Sequence, residues 1–452
     1  MIVLKFGGSS LADIDEIRRV IDIIRDRRER NPAVVVSAPG DITDVLERLA
    51  FQSLENDEKI IIDEFNNYFE PRLYRIIHGV IARNLEQREC LTDVNRLLQE
   101  LKNIYRGLTL IKELTPRALA TLLSYGELFS QIILTYALVS RDVPAVRISA
   151  VDCLITDDHF ARAAIDWTIT ANRLKEILLP AIEDNKIPVI QGFIGGTEDG
   201  TVTTLGRGGS DYTAAIIGAV CAAEDIQIWT DVDGFLTADP AVIPEAHTIP
   251  ELNIHEAREL AQFGARILHP KTVLPAINRQ IPVFIKNTFA PENPGTLLSA
   301  GKGDDGIHGI TVLRDLQMIT VEWNRSEQKN LRSVTRRVDQ SEVYFSFSTS
   351  TSYSMISTER DPNDLRSRFS DDTEVTIQKD LSLIALIGEH LTTQSPQYQE
   401  MMGLLADYTY ELFSASPMRN RWLLLVKKFE VDEIVQKLYY EIFNREREQA
   451  RT

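Results

Sequence analysis

Along the chain, short runs of consecutive apolar residues alternate with longer stretches in which apolar positions recur every three or four residues. Residues 2–4 (IVL) and 33–37 (AVVVS) read as buried strands. Between them, Ile14, Ile17, Val20, Ile21 and Ile24 mark one face of a helix, which Asn31-Pro32 stops because a residue before proline avoids the helical region. Strand, glycine loop, helix and strand form a βαβ unit and predict a parallel sheet. Residues 46–120 are charged and helical in pattern, with no β-rich run. They read as an all-helical excursion, either a wall or lid over a site or a solvated insertion that adds stability. Ser124-Tyr125-Gly126-Glu127 then opens an apolar helix, LFSQIILTYALV. Strand signals return at 145–148, 188–193 and 226–230, and 195–200 reads as a turn at a hairpin tip. A helix at HEARELAQFGA and a strand at IPVFIKN close this region near residue 298.

Residues 301–309 read as a glycine and aspartate linker, after which the rhythm changes. Strands at 310–321, a helix at 330–338 and strands at 343–350 and 352–356 make one round. A second follows with strands at 381–387, 410–415 and 422–426 and helices at 398–408 and 431–442. The order of elements predicts a tandem of small α+β modules, although the two halves share little sequence. The expected domains are 1–300, 301–380 and 381–452.

Composition narrows the function. The 452 residues allow two or three domains, and 44% hydrophobic with 25% charged residues is ordinary for a globular chain. A net charge of −17 argues against nucleic acid or an anionic membrane as partner. A bound anion must then be captured by local basic groups and amides. The three cysteines lie far apart, with no CxxC pair, which predicts a reducing, cytoplasmic setting and no structural zinc. Neither a signal peptide nor an apolar run long enough to span a bilayer is expected.

Two glycine turns carry the candidate chemistry. Leu205 to Ala215, LGRGGSDYTAA, places glycines 206, 208 and 209 before an apolar helix that reads as starting at an Asp or Ser cap. A glycine turn feeding a helix N-terminus suits phosphate or carboxylate, and Arg207 adds a planar fork for a carboxylate. The second turn, Lys5-Phe6-Gly7-Gly8-Ser9-Ser10, follows the first strand. An ammonium there can meet a transferring phosphoryl group while loop amides hold its oxygens. The spacing is neither that of a P-loop nor GxGxxG. A snorkelling strand-end lysine and a plain glycine turn are the alternatives for these features taken singly. Glu127 could meet its own helix dipole or a substrate amine. An amino-acid substrate needs one anion for its amine and one cation for its carboxylate, and Glu127 and Arg207 are one of each. Asp231-Val232-Asp233-Gly234 is not a calcium loop, because position twelve is Val242. His269 reads as a packed turn residue, and no metal ligands are expected.

KFGGSS, VVSAPGDITD, SYGE, GFIGGTEDG, LGRGGSD, WTDVDG, TADP, FGARILHP and KNT occur in that order. Together they resemble the amino-acid kinase superfamily and, within it, the aspartate kinases, over nearly the whole first 300 residues. The C-terminal tandem resembles their paired ACT modules. The resemblance implies an α/β chain: a three-layer amino-acid kinase fold with a mostly parallel sheet, followed by tandem α+β ACT-like modules. It implies ATP-dependent phosphorylation of the aspartate β-carboxylate, the first step of lysine, threonine and methionine biosynthesis, with magnesium. Carried onto this sequence, Lys5 stabilises the transferring phosphoryl group and Asp211 orients the basic groups. Thr43, Glu127, Arg207 and Ser210 hold the substrate, Glu127 by its ammonium and Arg207 by its α-carboxylate. Lys5, Phe6, Gly7, Gly8, Thr230, Asp231, Leu236, Arg266 and Ile267 make the ATP site.

Four departures stand out. Ala241 follows the DP of TADP, where relatives commonly carry arginine, and Arg266 stands where many carry lysine. Trp323-Asn324-Arg325-Ser326-Glu327 replaces a glycine-bearing turn of the first module, while Val338-Asp339-Gln340-Ser341-Glu342 keeps the family pattern. Ser414-Ala415-Ser416-Pro417 stands where relatives bind or transmit an inhibitor. The ACT-like pair is expected to form a homodimer or higher homo-oligomer, either as packing alone or also as an amino-acid effector site. The alternative functions are a sibling kinase of another carboxylate, such as acetylglutamate, and a catalytically weak amino-acid sensor.

Overall fold

A computed structural model of the chain describes residues 1–265, 267–301, 305–322, 343–349, 351–358, 374–392, 394–414 and 420–449. In chain order the elements begin with β1 (Ile2–Phe6), α1 (Ile14–Asp26), β2 (Pro32–Val36), α2 (Ile42–Gln52), α3 (Glu58–Val80), α4 (Asn84–Ile111) and α5 (Pro116–Val139). Next come β3 (Ala145–Ile148), α6 (Ala150–Cys153), α7 (Trp167–Glu183), β4 (Ile187–Gln191), β5 (Ile194–Gly196), β6 (Val202–Thr204), α8 (Gly209–Cys221) and β7 (Ile226–Thr230). Then follow β8 (Glu251–Asn253), α9 (Ile254–Gln262), α10 (Leu274–Ile277), β9 (Val283–Asn287), β10 (Thr296–Ser299), β11 (Gly306–Glu322), β12 (Val343–Ser348), β13 (Ser352–Thr358) and β14 (Glu374–Glu389). The chain ends with α11 (Pro396–Leu404), β15 (Tyr410–Ser414), β16 (Arg421–Lys427) and α12 (Val431–Gln449). Packing groups them into two units, Met1–Phe235 with Leu268–Ala300, and Leu236–Ile267 with Gly301–Thr452.

In the first unit β1 lies between β2 and β7, in parallel with both, and Lys5 pairs in register with Val35 on one side and Ile228 on the other. Strands β4, β3 and β9 extend the parallel sheet, and β10 closes against β9 antiparallel. Strands β1, β2 and β4 are buried along their whole length, as continuous apolar runs in a parallel sheet require. The expected hairpin forms from β5 and β6. Helix α7 adds to the elements expected from the sequence, and its buried Thr170, Leu174 and Leu178 recur every fourth residue on one face.

The helical excursion buries its apolar stripes in the same core as the sheet. Phe65, Phe69, Tyr105 and Phe129 are fully buried neighbours within that core. Helix α5 begins earlier than its SYGE motif suggests. Thr115 caps it through the Ala118 amide and Pro116 opens its first turn, a combination with strong N-terminal preference. Glu127 therefore sits mid-helix, and the helix dipole does not account for it. Contrary to expectation, α5 is long and apolar enough by length and composition to cross a membrane. Its apolar window is 78% buried inside the protein, which marks it as a core helix.

In the second unit β11 to β16 form one antiparallel sheet in the order β12-β13-β11-β14-β16-β15. Two long strands, β11 and β14, pair with each other over most of their length and so run through both halves of the sheet. β13 joins the 316–322 half of β11, and β16 joins the 381–387 half of β14. The linker expected at 301–309 is cut short, since β11 starts at Gly306. Trp422, Leu424, Ile434 and Leu438 pack one side of this sheet with α12. The helix expected at 330–338, the segments 323–327 and 338–342, and Ala415-Ser416-Pro417 lie outside the described residues, as does Arg266.

Candidate active site

The end of β1 delivers Lys5 into the interior: the residue is 8% exposed, and its ammonium lies 2.6 Å from Oδ1 of Asp211. Gly8 allows the turn after it to run against its neighbour, because a Cβ there would sit 2.9 Å from the Ala38 carbonyl oxygen. The Gly8 carbonyl accepts the Gly40 amide at 2.9 Å, tying the two turns at the ends of β1 and β2 together. The Gly7 amide is already committed to the Trp229 carbonyl at 3.0 Å. Phe6 contributes backbone only, its ring being fully buried and stacked on Trp229.

Asp211 reaches Lys5 because of the glycines before it. Gly206 and Gly208 adopt φ of +77° and +73°, a region that side chains disfavour. Gly208, not an Asp or Ser, is the N-cap of α8, so Ser210 and Asp211 fall in its first turn. The expected side-chain cap is absent because the Asp211 carboxylate is turned to Lys5 instead. Gly192 and Gly209 let β4 and α8 close on each other, since a Cβ at Gly192 would lie 2.6 Å from that of Ser210. Arg207 is exposed at the rim, with no ion pair among the described residues.

Glu127 is 3% exposed. Its Oε1 accepts the Ala38 amide at 3.1 Å, whereas Oε2 is buried without a hydrogen-bond partner. Burial pushes this carboxyl up to about 8, against the opposing pull of the Ala38 amide, its own backbone amide and the Lys5 charge. Gly126 makes the contact possible, since a Cβ there would lie 2.5 Å from that of Ala38.

Lys5, Thr43, Glu127, Arg207, Ser210 and Asp211 line one hollow of about 240 Å³. Ser37 and Phe193 line it as well and were not singled out in the sequence. Phe193 lies in the GFIGGTEDG motif, and the structure gives it φ +65°, unusual for a bulky residue. Ser37 carried none beyond its place at a strand end. Of the ATP candidates, Thr230 ends β7 beside β1 and hydrogen-bonds Asp231 at 3.0 Å. Leu236 and Ile267 belong to the second unit. Among the described residues no group of three or more His, Cys, Asp and Glu side chains could hold a metal ion.

The arrangement sets two carboxyl groups, Glu127 and Asp211, and two basic groups, Lys5 and Arg207, around one cavity, with donors suited to a zwitterion and a transferring phosphoryl group. Residues 1–287 match the amino acid kinase family. The chain is 31% identical to lysine-sensitive aspartokinase 3 of Escherichia coli strain K12, over 98% of this chain and 99% of that protein. It is also similar to the crystal structure of E. coli aspartokinase III with lysine and aspartate in the T-state. There the TM-score is 0.85 and the identity 29%, over 98% of this chain and 99% of that one. Against the same enzyme with aspartate and ADP in the R-state, the TM-score is 0.77 and the identity 30%, over 98% and 100% of the two chains.

Proposed function

Because this chain belongs to the amino acid kinase family, and within it to the aspartokinases, we propose that it transfers the γ-phosphoryl group of ATP to the β-carboxylate of aspartate. The product is 4-phospho-aspartate, which opens amino-acid biosynthesis of the lysine and threonine type. One observation carries the reading: Lys5, Glu127 and Arg207 share a single hollow. Arg207 clamps the α-carboxylate with its fork, and the unpartnered Oε2 of Glu127 takes the ammonium. Thr43 and Ser210 hold the rest of the substrate. A β-carboxylate oxygen attacks the γ-phosphorus, the bond to the ADP oxygen breaks, and ADP leaves with its electron pair. Lys5 neutralises charge on the moving phosphoryl group, and Asp211 fixes the ammonium in place. Because the Gly7 amide is committed to Trp229, the cradling of phosphate oxygens falls to Gly8.

Thr230 and Asp231, at the end of β7 beside β1, line the nucleotide site in this reading. Magnesium supplies charge neutralisation on the phosphates. The lack of a carboxylate cage among the described residues suits an ion that keeps several waters and rides on the nucleotide. In this reading the second unit binds an amino-acid effector, a role suited to a chain whose relative forms a complex with lysine, and it pairs chains into a homodimer or higher homo-oligomer through the edge strands β12 and β15. Three free thiols suit a cytoplasmic enzyme.

Incubation with ATP, magnesium and aspartate, with hydroxylamine to trap the acyl phosphate, tests the reading. Aspartyl hydroxamate is the expected product. No hydroxamate would indicate a sensor, and a signal only with acetylglutamate a sibling kinase.

A further inference from the structure

Asp41 occupies the N-cap position of α2, two residues before Thr43, yet its side chain makes no cap hydrogen bond. An aspartate there ordinarily accepts an amide of the first turn from extended backbone. Asp41 instead has φ −97° and ψ 12°, and its Oδ1 is held from the opposite side. The Tyr68 hydroxyl donates to it at 2.6 Å, and Nη1 of Arg72 lies 2.5 Å away. Both residues come from α3 of the helical excursion, and the Arg72 guanidinium lies over the Tyr68 ring. Nη2 of Arg72 also reaches the Ala12 carbonyl at 3.4 Å, and Arg75 pairs with Asp13 at 2.9 Å. Helix α3 thus grips the segments that follow both β1 and β2, the two strands whose turns are joined by the Gly40–Gly8 hydrogen bond.

The pairing adds little to stability, since Asp41 is 58% exposed at its side chain and water screens such a pair. Its consequence is geometric. We propose that Arg72 is a positioning residue for phosphoryl transfer: with Tyr68 it holds Asp41, and so sets the first turn of α2 and the Thr43 hydroxyl against the substrate. The inference rests on the reading of the hollow as the aspartate site. It gives the helical excursion a role in substrate binding beyond its packing, and the residues concerned stand outside the hollow.

The full chain is assayed as wild type, Arg72→Ala, Asp41→Ala and their double variant, each also combined with Thr43→Ala. Arg72→Ala should raise KM for aspartate roughly ten-fold while KM for ATP and kcat stay within about two-fold. Asp41→Ala should do the same, and the double variant should be no worse than either single change, because both break one linkage. With Thr43→Ala already present, Arg72→Ala should add nothing. Thermal melting should shift by no more than roughly 2 °C. Should Arg72→Ala fold poorly, Tyr68→Phe, which deletes one hydroxyl, should raise the aspartate KM by a smaller factor. An unchanged aspartate KM, an equal rise for ATP, or additive effects with Thr43→Ala would overturn the proposal. Wild-type protein that forms no aspartyl hydroxamate would overturn the aspartate reading itself, a result separate from these ratios.

Discussion

The Lys5 ammonium lies 2.6 Å from Oδ1 of Asp211 with each residue only 8% exposed, so a strand end and a helix start share one nearly dry ion pair. Removing one partner of such a pair strands the other charge, at a cost of about 3–5 kcal/mol. Lys5→Met should therefore lower the melting temperature and abolish hydroxamate formation. Adding Asp211→Asn should recover much of the melting temperature and none of the activity. If activity returned with stability, Lys5 would be a structural residue only.

Glu127 sets the pH dependence of substrate binding. Its carboxyl ionises near 4.5 in the unfolded chain, whereas burial holds the proton to about 8 in the folded one. Between those values the native state binds more protons, so this group lowers stability as pH rises toward 8, and no further above it. A bound ammonium requires the carboxylate form. The aspartate KM should accordingly fall as pH rises through about 8, and binding below that should release a proton, measurable by calorimetry in buffers of different ionisation enthalpy. Glu127→Gln should raise this KM roughly 100-fold and flatten its pH profile, with a melting temperature at neutral pH no lower than wild type. A profile that survives the substitution would assign the titration elsewhere.

Arg207 carries its charge at the rim of the hollow without an ion-pair partner among the described residues. Arg207→Lys keeps the charge but loses the fork. The requirement for aspartate should rise by about ten-fold or more while that for ATP stays put, with no change in melting temperature. Equal changes for both substrates would remove Arg207 from the aspartate side of the site.

Gly126 is a packing requirement placed one residue from the chemistry. Gly126→Ala would put a methyl 2.5 Å from the Ala38 Cβ and push α5 away from β2. We expect a loss of about 1–3 kcal/mol in denaturant unfolding and a raised aspartate KM, because the Ala38 amide would no longer meet Glu127. Wild-type values for both would show that the helix absorbs the methyl without moving its neighbour.

Much of this was legible before any coordinates. The βαβ opening, the helical excursion and the β5–β6 hairpin follow from apolar periodicity and turn residues, which act over a few positions. The glycines at 206 and 208 announced a positive-φ turn because few other residues accept it. Less local features were harder to see. The start of α5 was hidden because SYGE looked like a beginning, while Thr115-Pro116 gave the real one. The Gly208 cap was missed because Asp211 satisfies a charge rather than a helix end. That β11 and β14 each run through both halves of one sheet, with a shift of register between Leu313 and Met318, was equally hidden, since pairing register is set between strands far apart in the chain.

By itself the sequence determined the local period of each segment, the turns only glycine can make, and the set of charged groups available for chemistry. The tertiary structure alone decided which of those groups share a cavity, which carboxylate loses its water, and that Arg72 holds Asp41. The reason is physical: burial and ion-pair distance depend on strand order and helix packing between residues such as Ala38 and Glu127 or Lys5 and Asp211. Those partners are brought together by the whole core and by no pattern that a short window of sequence contains.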